Sequence, residues 1–193
     1  MMVTDEELVD RCKAGEETAF NELIEKHKKM AFSLAYNMLG NIEDARDISQ
    51  EAFAVVYSQI KKFRGDCSFK TWFYRIIINF CRRHYRKNNT ASIIPLHFFT
   101  KEGKEETIDI KTEINPETEM STKQLNSAIM DAVKDLPMKQ REVFVMKHLK
   151  GMKISEISEV LGCAEGTVKS HLFRAIQKLQ ERLRGFLYEP IKS

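Results

Sequence analysis

Turn-forming residues are scarce in this chain. Eight glycines and four prolines are spread over 193 residues, and no segment alternates apolar and polar residues in the way of a strand. The four cysteines, Cys12, Cys67, Cys81 and Cys163, are scattered without a C-x-x-C spacing. That argues against a disulfide framework or a structural zinc site and for reducing surroundings. No apolar run approaches the roughly 20 residues that span a bilayer, and the opening MMVTDEELVD is acidic where an export signal is basic. The expectation is a cytoplasmic protein without membrane insertion. A Gly-rich phosphate loop and a Ser/His/Asp grouping at motif spacing are also missing. No catalysis and no cofactor are expected.

What the chain has is charge, unevenly placed. The net charge is only +3, with 31% charged residues. Residues 1–60 carry 12 acids and 6 bases, whereas residues 61–87 carry 9 bases and one acid, Asp66. An acidic block follows at residues 101–120 (7 acids, 3 bases), and a second basic one at residues 165–193 (6 bases, 3 acids). Charge blocks are often merely solvated faces. Two separate basic blocks, one of them rich in aromatics, point instead to nucleic acid.

Apolar spacing predicts helices throughout. Thr4 with Glu7 three residues on forms a capping box for a short first helix. A longer helix runs from Glu16 to Leu39, closed by Gly40, and another from Ile42 to Phe63. FRGDCS at 63–68 is a loop, and FKTWFYRIIINFCRRHYRK at 69–87 is a helix. Periodicity then fades, although IIPLHFF at 93–99 is apolar enough to dock elsewhere. It resumes at Leu125, Ile129, Val133 and Leu136. Pro137 opens a helix with Val143, Phe144 and Leu149 inward, closed by Gly151. A short helix, a turn at Gly162–Ala164 and a longer helix complete the chain. The prediction is an all-α protein of two small helical domains, 1–90 and 122–193, joined by a flexible linker at 91–121. The second domain contains a helix-turn-helix.

Three faces carry chemistry. On the last helix, at about 100° per residue, Val168, Leu172, Ala175, Ile176 and Leu179 form a buried stripe. Gly166, Lys169, Ser170, Phe173, Arg174 and Gln177 lie opposite. Lys169 and Arg174 reach phosphates or guanine edges, Ser170 and Gln177 hydrogen-bond either, and Phe173 suits a thymine methyl group. The helix at 69–87 divides differently. Phe73, Ile76, Ile77 and Phe80 face a core, while Arg75, Asn79, Arg82, Arg83 and Arg86 face water. Trp72, Tyr74 or Tyr85 at the border would stack on unpaired bases. The third face is acidic: Asp44, Asp47 and Glu51 sit at i, i+3 and i+7 beside Gln50. Such a face either docks a partner or holds metal ions for phosphoryl chemistry.

The three features together, in this order, resemble the bacterial extracytoplasmic-function sigma factors, two-domain initiation factors of RNA polymerase. The resemblance runs through DARDISQEAF (44–53), FRGDCSFKTWFYRIIIN (63–79) and DLPMKQREVFVMKHLKGMKISEISEVLGCAEGTVKSHLFRAIQKL (135–179). It implies that Asp44, Asp47, Gln50, Glu51 and Phe53 meet core polymerase. It implies that the loop from Arg64 to Phe69, with Trp72 and Asn79, reads a flipped base of the minus-ten strand. Arg75, Arg82, Arg83 and Arg86 would follow that strand's backbone. The helix from Glu165 to Gln177, including Thr167 and His171, would enter the minus-thirty-five major groove. The implied partners are the clamp and flap of core RNA polymerase, promoter DNA both duplex and melted, and an anti-sigma protein.

Phe73 stands where the family usually has Leu, His171 where Arg is frequent, and Lys153 where a Ser N-cap is common. Lysine accepts no capping bond, so that helix is expected to begin at Ser155 or to be capped by water. Two other readings compete. A free-standing helix-turn-helix regulator has no use for an aromatic, basic single-strand face. A metal nuclease needs a fuller carboxylate set than this sequence offers.

Overall fold

The computed structural model describes residues 3–88 and 119–187. Eight α-helices account for nearly all of them, and there is no strand among the described residues. The expected linker and the IIPLHFF segment lie almost wholly outside the described residues.

The first domain begins with α1, Asp5–Lys13. Its capping box forms as predicted: the Glu7 N–H donates to Thr4 Oγ1 at 3.2 Å, and the Thr4 N–H donates to Glu7 Oε2 at 2.9 Å. Asp5, Glu6 and Glu7 place negative charge on the positive end of the helix. Helix α2, Glu17–Leu39, buries Leu23, Ala31, Leu34, Ala35 and Met38. It stops at Gly40, whose φ of 73° disfavours any residue with a Cβ. A Cβ there would also strike the side chain of Lys134. Asn41 caps α3, Ile42–Gln59, by accepting from the Glu43 and Asp44 N–H groups. A single 3-10 turn, Ile60–Lys62, follows.

Ser68 opens α4, Phe69–Asn88, by accepting the Thr71 N–H at 3.1 Å. The inward stripe of α4 is broader than the periodicity suggested. Phe69, Thr71, Phe73, Tyr74, Ile77, Ile78 and Cys81 are all buried. Phe73 is wholly enclosed, with Phe53 at 4.7 Å, Phe69 at 5.7 Å and His27 at 6.2 Å between ring centroids. These tilted and offset ring pairs fill the centre of the domain.

The second domain comprises α5 (Glu119–Lys134), α6 (Met138–Phe144), α7 (Ile154–Leu161) and α8 (Glu165–Leu187). Helix α8 packs along α5, α6 and α7. Helix α6 runs into one π turn, Val145–Leu149. The wider turn shifts the register, so Val145 and Met146 are buried while the expected core residue Leu149 sits outside. Lys153 does not delay α7, which starts at Ile154 rather than Ser155. Here the Glu156 carboxylate, at the third helical position, accepts the Lys153 N–H at 2.7 Å; this is the half of a capping box that does not depend on the N-cap side chain.

The two domains lie against each other. Helix α4 packs on α6 and α7, and α2 packs on α5 and the π turn. Arg82 grips Glu142 through two parallel bonds, Nε to Oε1 at 2.6 Å and Nη2 to Oε2 at 2.7 Å. Arg141 donates to the Met38 carbonyl at 2.7 Å and to the Lys134 and Leu136 carbonyls, with the Tyr85 ring 5.2 Å from its guanidinium carbon. Lys150 donates to Ser33 Oγ.

Because Phe73 has no exposed surface, Phe73→Ala should lower unfolding stability by about 3–5 kcal/mol. Urea denaturation followed by circular dichroism checks this; a loss under about 1 kcal/mol would mean the aromatic cluster recloses over the gap.

Candidate nucleic-acid interface

The recognition face of α8 is set by its buried opposite side. Val168, Ala175 and Leu179 are buried and Leu172 and Ile176 half-buried, as the spacing predicts. Glu165, Gly166, Thr167, Lys169, Ser170, Phe173, Arg174 and Gln177 are exposed. The Phe173 ring is 47% exposed in the middle of this polar face. Water has no favourable use for such a ring, whereas a groove lined with methyl groups does. A Cβ on Gly166 would meet nothing within 4 Å, so packing inside the chain does not require the glycine. His171 is half-buried, and its Nδ1 has no hydrogen-bond partner. Burial, and then the positive charges of Lys139 and Arg174, hold its pKa below the usual histidine value.

The wet face of α4 is less open than its sequence suggests. Asn79, Arg83 and Arg86 are exposed, and Arg83 lies against the Phe80 ring. Arg75 and Arg82 are half-buried, because both reach into the second domain. Arg75 donates to the Glu159 carbonyl at 2.7 Å and 3.3 Å and to Cys67 Sγ at 3.7 Å. Arg64 pairs with Asp66 at 3.0 Å with both side chains in solvent, an arrangement that contributes little and yields easily to another anion.

Three aromatic assignments change. Phe69 is 3% exposed and belongs to the core, where it faces His27 and Phe73, so it has no free face for a base. Tyr74 is 2% exposed, and burial, with the nearby Glu156 carboxylate, pushes its hydroxyl up to about 12. Tyr85 is half-buried beside Arg141. Trp72 also keeps a border position: it is half-buried and stacked on Phe63 with centroids 4.8 Å apart. Helical periodicity cannot foresee this, because the second domain covers part of the side that would otherwise be wet.

On α3, Asp47, Gln50 and Glu51 are exposed together. Asp44 is half-buried, with its carboxylate 3.1 Å from His84 Nε2. Phe53 is half-buried and packs its ring on Phe73, so its main contact is with the core. Among the described residues no three of His, Cys, Asp and Glu gather as a metal-ligand set. Nor is any helix among them long and apolar enough to cross a membrane. The sequence reading missed Arg141 and Glu142, which are 4% and 1% exposed. No local signal marks them, because partners such as Met38 and Arg82 lie in the other domain.

Comparison with known proteins finds two families that match separate stretches of the chain. The Sigma-70 region 2 family matches residues 23–90, and the Sigma-70, region 4 family matches residues 126–179. The chain is 32% identical to the ECF RNA polymerase sigma factor SigW of Bacillus subtilis over 91% of its length and 95% of that protein's. It is 29% identical to the RNA polymerase sigma-H factor of Pseudomonas aeruginosa, covering 96% of each. Among solved structures it shares its fold with CnrH in complex with the cytosolic domain of CnrY, at a TM-score of 0.65 and 23% identity over 92% of this chain and 96% of that one. It also resembles RpoE bound to the anti-sigma factor NepR from Bartonella quintana, at a TM-score of 0.60 and 19% identity over 86% of this chain and 96% of that one.

Proposed function

The chain belongs to the extracytoplasmic-function (ECF) sigma factors of RNA polymerase, and from that premise we propose how its faces divide the work. As a sigma factor it binds core RNA polymerase, directs it to promoters and promotes DNA melting. It acts by binding alone, in the cytoplasm. The observation that carries the assignment is the occurrence, in one chain, of an exposed helix-turn-helix face and a basic helix bordered by Trp72. A free-standing regulator needs only the first.

The exposed Asp47, Gln50 and Glu51 dock core polymerase, with Asp44 and Phe53 shaping the same helix from its half-buried side. On α4 and the loop before it, Arg64, Trp72, Arg75, Asn79, Arg82, Arg83 and Arg86 receive the minus-ten strand once it is unpaired. Phe69 serves that surface from beneath, by fixing the start of α4. Base faces are hidden in a duplex, so stacking on Trp72 acts only on opened DNA and draws the equilibrium towards it. Helix α8 enters the minus-thirty-five major groove with Lys169, Ser170, Phe173, Arg174 and Gln177 foremost. Glu165, Gly166, Thr167 and His171 line its approach. The structurally similar RpoE is bound to the anti-sigma factor NepR in its solved complex, and a protein of that class is the expected inhibitor here.

Docking through an exposed acidic face is sensitive to charge reversal. Asp47→Lys should preserve the helical circular-dichroism spectrum and abolish co-purification with core polymerase. Undiminished co-purification would remove α3 from the polymerase interface.

The two cations of α8 should separate by kind. Lys169→Ala should weaken holoenzyme binding at every promoter and reduce the salt dependence by about one unit. Arg174→Ala should cost about 1–3 kcal/mol at one guanine-containing base pair and relax preference there, because its planar fork matches the guanine edge. A promoter-variant binding series in which neither substitution matters would refute this orientation of the helix.

A further inference from the structure

The contact between the domains uses the residues that the minus-ten strand would need. Arg82 presents its guanidinium fork to Glu142 in the bidentate geometry that an arginine otherwise offers to a phosphate. The Glu142 carboxylate is 1% exposed, so water does not compete for it. Arg75, on the same face of α4 about two turns earlier, is taken up by the Glu159 carbonyl at 2.7 Å, near the end of α7. On the same helix turn as Glu142, Arg141 crosses to the Met38 carbonyl of α2 at 2.7 Å. The recognition face of α8 remains open throughout, with Phe173 and Arg174 exposed.

We propose that Arg141 and Glu142 form a latch, in which Glu142 stands in for a strand phosphate in the fork of Arg82 and holds the free chain closed over its own minus-ten face. This rests on the assignment of the α4 basic face to unpaired DNA. The closed form conceals two cations of the melting surface while leaving the duplex-reading surface on display. A sigma factor free of polymerase would thus carry little affinity for single strands.

The chemistry of the contact suits a reversible closure. Its anchors are Arg75, Arg82, Arg141 and Lys150, each donating to a carboxylate, carbonyl or hydroxyl. Water can replace every one of those acceptors when the domains part. A buried ion pair gives little net stability, because desolvation cancels most of the attraction. Yet breaking one partner leaves the other charge buried and alone, which favours opening. Polar interfaces between domains of one chain are those that come apart most readily.

The test uses the full-length protein, three variants and two readouts. Small-angle X-ray scattering measures closure with no DNA or polymerase present. Fluorescence anisotropy with a labelled, mixed-sequence single-stranded oligonucleotide measures strand binding. Glu142→Gln and Arg82→Ala each break the pair, so both should raise the radius of gyration above that of the wild type. Strand affinity should then diverge. Glu142→Gln frees the fork and should bind about tenfold tighter, since apparent affinity scales with the competent fraction. Arg82→Ala opens the chain but removes the fork and should gain nothing comparable. The charge-swapped double variant, Arg82→Glu with Glu142→Arg, should close again without strand affinity, which separates loss of the latch from loss of folding. Identical radii for wild type, Glu142→Gln and Arg82→Ala would overturn the latch. Expansion in both single variants with no gain for Glu142→Gln would overturn the phosphate mimicry and, separately, the reading of the α4 face.

Discussion

The division of α4 into two faces governs the rest of this structure. Its buried stripe, centred on Phe73, Ile77 and Cys81, ties α2 and α3 into one domain. Burial is severe enough to push the Cys81 thiol up to about 12, with the neighbouring Glu142 charge adding to the effect. With that stripe fixed, the arginines of the opposite face have no freedom to turn inward. They must find solvent, an anion, or the other domain. The reading of the basic surface of the first domain follows from this one constraint.

The second domain obeys the same logic on a smaller scale. The helix-turn-helix holds because Ile157 and Val160 of α7 and Val168 and Ala175 of α8 are buried around a tight turn. Gly162, at φ 63°, lets the chain reverse between them. The exposed side of α8 is therefore a consequence of what its other side buries. Where the domains meet, charge and carbonyl contacts add to the apolar packing.

Much of this was legible in the sequence, and the reasons are local. The capping box at Thr4, the glycine stop after α2, the helix after FRGDCS and the buried stripe of α8 are each written in residues within one or two turns of each other. The exposed carboxylates of α3 and the exposed polar positions of α8 follow directly from helical spacing. What the sequence concealed depends on partners far along the chain. Tyr74 reads as a border aromatic until a second domain covers it. Phe69 reads as part of a strand-reading loop until His27 and Phe73 close around it. Leu149 reads as core until a π turn shifts the register. Arg141 and Glu142 read as ordinary helix-surface charges, because Met38, Tyr85 and Arg82 are too distant in sequence to suggest otherwise.

The central claim is that α4 acts on DNA only after the duplex opens, with Trp72 at the border of its basic face. Permanganate footprinting of promoter thymines, with the purified chain and core RNA polymerase, tests it most directly. The Trp72→Ala holoenzyme should assemble normally yet leave those thymines largely unreactive, and a promoter carrying a pre-melted bubble should restore much of the lost complex. Equal thymine reactivity for wild type and Trp72→Ala on the intact duplex would contradict the account and place Trp72 with the core it stacks against.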